Sequence, residues 1–371
     1  MTKTGKAAIL DKIDGKFEVK EYPLPEPAPG TVLIKQERCG LCGTDIHVYH
    51  GKMPGLGYPI FLGHEFTGTI VALGEGVTSD YVGEPVKVGD RVIVAPAVTC
   101  GKCYFCAVAK TPTACENMWA YGFSPNPFGG GYAEYVYLNV PRTTFLKTDS
   151  PPNIVALIEP FAVGVHAATR AQIKLGDTVV VQGTGAIGLF CVLCAKMSGA
   201  GKVINVGGPS AHRLNLAKKF GADITINNKL EITDPRERVK RVREETPKGR
   251  GVDVVFECTG NPAAVPEGLD MLRQSGTYLV VGCFTEAGTV PINPFTQFCN
   301  KNINLQGIWG NEIEQWVRIL PVLEKREYPY EEMVSHVIGL GRLNEAMELP
   351  QKGYKLDGKD VIKVLVDGSK I

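Results

Sequence analysis

Thr178-Val179-Val180-Val181-Gln182-Gly183-Thr184-Gly185-Ala186-Ile187-Gly188 is the stretch on which the fold turns. A β-branched apolar run feeds a Gly-x-Gly-x-x-Gly turn, and an apolar helical segment follows. Strand before and helix after are the context in which this spacing receives a dinucleotide. The glycines permit a tight turn and the close approach of a pyrophosphate, which rests on the helix N-terminus. Gly183, Gly185 and Gly188 are therefore candidate cofactor contacts, with NAD or NADP as the expected cofactor. The uncharged run Thr178 to Ala195 nearly reaches membrane-spanning length, but three glycines and a glutamine near its start argue for strand, turn and helix. No transmembrane segment is expected.

Downstream, the runs Lys202 to Val206, Val252 to Phe256, Thr277 to Val281 and Asn302 to Ile308 alternate with helical patterns such as Arg213 to Phe220. That alternation predicts βαβ units and a parallel sheet. Upstream, from Lys6 to about Leu146, short apolar runs punctuated by proline and glycine (Val32 to Lys35, Gly68 to Leu73, Arg91 to Val94, Tyr132 to Tyr137) read as an all-β body. Pro23, Pro25, Pro27 and Pro29 fix an extended surface segment. After Trp309 an amphipathic helix is expected over Ile313 to Lys325, then a tail from Val337 whose last strand is Val361 to Val366. With 371 residues the chain exceeds what one core serves, so two domains are expected. The fold class is α/β: a β-rich domain split between 1–160 and 311–371, and a Rossmann doubly wound parallel-sheet domain over 161–310.

Forty basic against 39 acidic side chains leave a net charge of +1 with no long block of one sign, which gives no electrostatic support to a nucleic-acid or membrane partner. Arg236 to Arg250 holds seven basic and three acidic residues and reads as a solvated helix face. At 44% hydrophobic and 21% charged, the chain is not a disordered one. Eleven cysteines cannot all pair internally, and Met1 to Leu10 has no apolar signal core. A cytoplasmic, thiol-reducing setting is the expectation, and it makes metal binding the leading use for clustered cysteines.

Cys100, Cys103, Cys106 and Cys115 lie within 16 residues. Four thiolates so placed can close a tetrahedron on Zn²⁺ in a lobe spanning about 96–118. A disulfide pair or an iron–sulfur centre is the weaker alternative. With four protein ligands the site has no open position and is structural. A second constellation is Cys39-Gly40-Leu41-Cys42-Gly43-Thr44-Asp45-Ile46-His47, followed by Gly63-His64-Glu65. Cysteine, histidine and carboxylate form the ligand set of a catalytic zinc that keeps one position for water or substrate. Glu159 sits before Pro160 in the apolar run Ile154 to Val165, where an unpaired charge would be costly, so it is a further candidate donor.

In its order of motifs, essentially over the whole chain, the sequence resembles the zinc-dependent medium-chain dehydrogenase/reductase family, the alcohol, sorbitol and threonine dehydrogenases: Cys-Gly-Thr-Asp, Gly-His-Glu, a four-cysteine lobe, Glu-Pro and a glycine-rich turn. The resemblance implies a GroES-like catalytic domain around the Rossmann domain and two zinc ions per subunit. It also implies a small-molecule alcohol or carbonyl substrate and a homodimer or homotetramer. By position, Cys42 and His64 would ligate the catalytic zinc, Thr44 would touch the substrate hydroxyl, Asp45 would support the metal and His47 would end a proton relay. Glu65 and Glu159 both remain as the third ligand, the Glu-Pro form being that of the sorbitol and threonine branch. The gap from Cys106 to Cys115 is one residue longer than the usual lobe spacing, and Cys39 is the competing ligand to Cys42.

The acid expected about 20 residues after the glycine turn, to hold the ribose hydroxyl of NAD, is missing. Its place is taken by Gly208, with Ser210, His212 and Arg213 nearby, so NAD and NADP both stay open. Gly208, Arg213 and Thr259 complete the candidate cofactor contacts. The implied activity is reversible hydride transfer between a primary or secondary alcohol, polyols included, and NAD(P)⁺. The competing readings are a zinc-independent quinone or enone reductase and a non-enzymatic zinc-stabilised nucleotide sensor. Trp119, Tyr121, Phe123, Phe295 and Trp309 are aromatic pocket candidates that the sequence does not aim. Cys39, Cys191, Cys194, Cys258, Cys283 and Cys299 are left to packing.

Overall fold

The computed structural model describes residues 3–282 and 285–371, so Cys283 lies outside the described residues. The chain divides into two compact units, Pro160–Asn311 and Met1–Glu159 with Glu312–Ile371.

In the first of these, six strands form one parallel sheet in the order Ile224–Asn227, Lys202–Gly207, Thr178–Gln182, Val252–Glu257, Leu272–Val280, Asn304–Gly307. Thr178–Gln182 is buried at every position, as a parallel strand covered on both faces must be. The helix after it, Ala186–Met197, is buried continuously from Gly188 to Ala195, which accounts for its apolar residues on every face. Strand order reverses between Thr178–Gln182 and Val252–Glu257. In a doubly wound sheet the crevice outside their C-terminal ends is the ligand position.

The helix expected over Arg213 to Phe220 runs Ala211–Lys219, started by Ser210, whose Oγ accepts from the Arg213 backbone N–H at 3.3 Å. The strand expected from Thr277 begins at Leu272, ahead of the exposed Gln274 and Ser275 that hid it from an apolar-run search. One reading needs correction. The helix Pro235–Glu244 is not a solvated face throughout: Arg238 is 6% exposed and grips Glu267 through two bonds, Nε to Oε1 at 2.8 Å and Nη2 to Oε2 at 2.7 Å.

The other unit is built on a seven-stranded sheet ordered Phe145–Lys147, Arg91–Val94, Glu65–Leu73, Val32–Gly40, Lys363–Asp367, Val334–Gly339, with Tyr135–Leu138 also on Val32–Gly40. Ile34, Ile70, Val92, Val94, Val136 and Val364 meet in its core, each such side chain contributing about 1.5–3 kcal/mol on burial. The chain's last strand, expected over Val361 to Val366, is Lys363–Asp367 and lies inside the sheet, pairing Leu365 with Gly40 and Val366 with Cys39. Gly40 also pairs with Glu65. Three distant segments therefore converge at Gly40. The helix Ile313–Lys325 falls where its pattern placed it, burying Trp316, Ile319, Leu320 and Leu323. The stretch Pro152–Ala171 is long and apolar enough to cross a membrane, but 72% of its window is buried inside the protein.

Candidate active site

The four lobe cysteines come together as one donor group, all four sulfur atoms within 4.8 Å of one another. A two-stranded pairing of Ala97–Val98 with Trp119–Ala120 ties the ends of the lobe. The extra residue between Cys106 and Cys115 is absorbed in a turn with Lys110 at φ 54° and Thr111 N–H bonded to Phe105 O at 2.9 Å. Cys103 Sγ lies 3.5 Å from Cys106 Sγ and 3.9 Å from Cys115 Sγ. Disulfides need about 2.05 Å, whereas four sulfurs tetrahedrally placed at the usual Zn–S distance stand roughly 3.8 Å apart. Backbone N–H groups of Lys102 and Cys103 aim at Cys100 and bring its thiol down to about 6. Burial, with Cys103 and Cys115 beside it, pushes Cys106 up to about 12. Four sulfurs so closely placed, at tetrahedral spacing, fit a Zn²⁺ ion at their centre.

In the same unit, Cys42 stands immediately before the helix Gly43–Tyr49, and His64 and Glu65 where the strand Glu65–Leu73 begins. One ligand atom from each of Cys42, His64 and Glu65 lies within 4.8 Å of the others. His64 and Glu65 are buried, and Glu65 Oε1 has no hydrogen-bond partner. A buried carboxylate oxygen left so calls for an unseen partner, and a metal at the convergence of thiolate, imidazole and carboxylate supplies one. Asp45, fully buried, accepts from the Cys42 backbone N–H at 2.9 Å and the Tyr132 hydroxyl at 2.8 Å, and its Oδ1 is 3.4 Å from His64 Nδ1. Burial works to raise the Asp45 carboxyl, but His64 and those donors hold it below its ordinary value. Burial likewise pulls His64 down, while Asp45 and Cys42 outweigh it and leave the ring well above the usual histidine range. Phe123 stacks on that ring, 5.3 Å between centroids at 22°.

Thr44 Oγ1 is 3.5 Å from Cys42 Sγ. His47, on the same helix and half-buried, is held below the ordinary histidine value by burial first, then by Lys52 and His50. Glu159 is half-buried on the helix Ile158–Ala171 and stands outside the three-donor group, although it acts electrostatically on Lys363. Cys39 is fully buried in the core and also outside the group. Of the aromatic candidates, Tyr121 is buried and bonded to Thr143, Trp119 packs edge-on against it, and Phe295 and Trp309 are exposed. Phe123 is thus the one of the five whose ring stacks on a donor residue among the described residues.

Lys363 escaped the sequence reading. It is 4% exposed and its Nζ pairs with Glu65 Oε2 inside the sheet. Burial lowers its pKa, yet Glu65 and Cys42 more than compensate and keep the amine above its ordinary value. Gly40 makes room for the pair, since a Cβ there would lie 2.8 Å from Lys363 Cε and closer still to the Glu65 carboxylate. The signal was present: Lys363 is a lone charge in Val361-Ile362-Lys363-Val364-Leu365-Val366, the same argument that singled out Glu159.

In the parallel-sheet unit, Gly183 has φ 113° and a Cβ there would fall 2.8 Å from the Cys258 carbonyl, so only glycine fits. Gly185 precedes the helix Ala186–Met197, and Gly188 packs under Gly183. Asn205, fully buried and unforeseen, donates to Val181 O at 3.1 Å and Gly183 O at 2.9 Å, fixing the turn. Gly208 has φ 149°, and a Cβ would meet Asn227 Oδ1 at 2.5 Å. An acid cannot occupy that position without moving the chain, which explains its absence physically. Arg213 is half-buried in the first turn of its helix and His212 is exposed. Cys191 and Cys194 are buried in their helix, and Cys258 Sγ lies 3.6 Å from Cys191 Sγ. Burial pushes Cys194 and Cys258 well above the ordinary thiol value, as suits packing residues rather than a redox pair. Cys299 is exposed.

Residues 28–150 match the alcohol dehydrogenase GroES-like domain, and residues 186–325 match the zinc-binding dehydrogenase domain. The chain is 33% identical over 369 residues to 5-exo-hydroxycamphor dehydrogenase of Pseudomonas putida, covering 98% of this chain and 99% of that one. It is 33% identical over 353 residues to sorbitol dehydrogenase of Halalkalibacterium halodurans, covering 95% and 96%. Among solved structures it is similar to an alcohol dehydrogenase of Thermotoga maritima, with a TM-score of 0.89, 31% identity and coverage of 98% and 99%.

Proposed function

The chain belongs to the zinc-dependent medium-chain dehydrogenase/reductase family, and from that membership we propose that it interconverts a primary or secondary alcohol and its carbonyl compound, with NAD(P) as hydride carrier, at Cys42, His64 and Glu65. The observation that carries this reading is the convergence of those three donors, with Glu65 Oε1 buried and without a hydrogen-bond partner. Bound there, zinc would supply a Lewis acid that eases loss of a hydroxyl proton, and the dinucleotide would supply the hydride acceptor.

The residues divide the remaining work. Cys42 and His64 would hold the metal with Glu65, the carboxylate in the donor group; Glu159 is the alternate that would replace it after movement. Asp45, fixed by Tyr132 and the Cys42 backbone N–H, orients the His64 ring. Thr44 takes the substrate's hydroxyl proton and passes it to His47, whose imidazole, held below the ordinary histidine value by burial and by Lys52 and His50, releases it readily to solvent. Gly183, Gly185 and Gly188 receive the pyrophosphate at the N-terminus of Ala186–Met197, with Thr259 beside them. At the ribose, Gly208 offers no carboxylate to repel a 2′-phosphate, and Arg213 stands within the following helical turn. The Cys100, Cys103, Cys106 and Cys115 group, a closed set of four thiolates, would hold a second, structural zinc.

Two measurements test the proposal. A panel of simple alcohols, cyclic secondary alcohols and polyols, assayed with NAD and with NADP by absorbance of the reduced nicotinamide, is expected to show turnover with at least one pair. Metal analysis is expected to find two zincs per chain. One zinc per chain, with reduction of an enone but no alcohol oxidation, would replace it with the zinc-independent reductase reading.

A further inference from the structure

Glu257 ends the strand Val252–Glu257, beside Thr178–Gln182, at the place where the strand order reverses. It is fully buried. Its Oε1 accepts from the Thr259 N–H at 2.6 Å, the Thr259 hydroxyl at 2.5 Å and the Gly260 N–H at 2.9 Å. Its Oε2 accepts from the Gly282 N–H at 3.2 Å. One carboxylate thus joins the chain leaving the fourth strand to the chain leaving the fifth. The two loops touch closely, for a Cβ on Gly282 would lie 2.6 Å from Gly260 N. The first loop also abuts the glycine turn: the Cys258 N–H bonds Gln182 O at 2.8 Å, and the Cys258 carbonyl lies against Gly183.

We infer that Glu257 is a positioning residue for the dinucleotide. It sets the loops at Thr259–Gly260 and Gly282 around the crevice mouth at the C-terminal ends of the strands, where a doubly wound sheet takes its ligand. This inference rests on the reading of Gly183 to Gly188 as the dinucleotide turn. Donors gathered on one buried carboxylate cannot be served by an amide of the same size. In Glu257→Gln one oxygen becomes an NH₂ group that faces donors, so one of the two loops loses its anchor and its buried N–H goes unsatisfied.

The test is titration of E257Q and wild type with NAD⁺, NADH and NADPH, read by tryptophan fluorescence and calorimetry, together with steady-state kinetics. A lost anchor of this kind raises the dinucleotide Kd and KM about tenfold or more, while KM for the alcohol, kcat at saturating dinucleotide and zinc content stay within about threefold of wild type. A general structural defect would not produce that split. Binding by E257Q within about twofold of wild type overturns the inference. If wild type binds none of the three dinucleotides, the reading of the glycine turn falls and the inference falls with it. Should E257Q not fold, hydrogen exchange in dinucleotide-free wild type decides: slow exchange at Thr259, Gly260 and Gly282 is expected, and exchange at the rate of open loops overturns it.

Discussion

The two metal-fitting groups of the unit Met1–Glu159 with Glu312–Ile371 are built by opposite means. The lobe takes four identical donors from one short segment, and its scaffold is local: two turns, a two-stranded closure and backbone N–H groups aimed at sulfur. The Cys42, His64 and Glu65 group takes three unlike donors, and its scaffold is drawn from across the sequence: Asp45 and Tyr132 behind the histidine, and Lys363 from the last strand behind the glutamate. A closed set of like ligands saturates the metal and stabilises a loop. A mixed set held by buried charges leaves a position open, and the surrounding charges govern what the metal can do.

That contrast is broken most directly by disabling the two donor groups separately. Cys42→Ala is expected to lower kcat/KM by about a thousandfold or more, since a Lewis acid contributes several kcal/mol to the barrier and each 1.36 kcal/mol is tenfold. Zinc content should fall by one per chain with little change in Tm. Near-normal turnover by a variant shown to have lost that zinc would remove the catalytic role. Cys106→Ala should do the reverse. It also loses one zinc per chain, but the loss appears as a Tm lower by on the order of 10 °C, with initial rates well below Tm within about threefold of wild type. If both variants lose activity equally at low temperature, the division of labour is wrong.

The same contrast explains what could be read in the sequence. The lobe was legible because its information is a spacing: Cys100, Cys103, Cys106 and Cys115 are neighbours before they are folded. The glycine turn was legible for the same reason, and so was the helix Ile313–Lys325, whose stripe of Trp316, Ile319, Leu320 and Leu323 is a local period. The supporting shell was not. Lys363 meets Glu65 only because the final strand enters the sheet beside Gly40, a pairing that no local pattern encodes. Tyr132 acts through a hydrogen bond to Asp45, far along the chain, and Asn205 through two bonds to the neighbouring strand and its turn. Glu159 drew attention as a charge in an apolar run; the same criterion applies to Lys363, whose pairing with Glu65 only the fold reveals.

Lys363→Met sharpens the comparison further. With the metal stripped, the variant leaves Glu65 as a buried charge without its cation, and breaking such a pair costs about 3–5 kcal/mol. With zinc bound the carboxylate has the metal as a partner, and the loss should shrink to about 1 kcal/mol. Urea unfolding of wild type and variant, each with and without zinc, gives the difference. Lys363→Arg should restore most of the metal-free stability. Equal losses in both states would mean that Glu65 and the metal do not share a site.

The smallest expected effect concerns the proposed proton exit, which belongs to the mixed group. In the proposed relay His47 must be neutral to accept a proton from Thr44, so its acid form would shut it. Burial, Lys52 and His50 all hold its pKa below the ordinary histidine value. The proposed relay would therefore be open at neutral pH, and kcat for alcohol oxidation should decline only as pH falls through a value below about 6.5. Lys52→Met removes one of the charges that disfavour the imidazolium. The His47 pKa then rises toward its ordinary value, and the acid limb of the kcat–pH profile moves to higher pH by less than about one unit. His47→Gln abolishes that limb and lowers kcat by about tenfold, an effect at the weak end of general acid–base contributions because solvent can take over the last transfer. If the limb is unchanged in His47→Gln, the titrating group lies elsewhere. If Lys52→Met moves it to lower pH, the sign of the electrostatic argument is wrong.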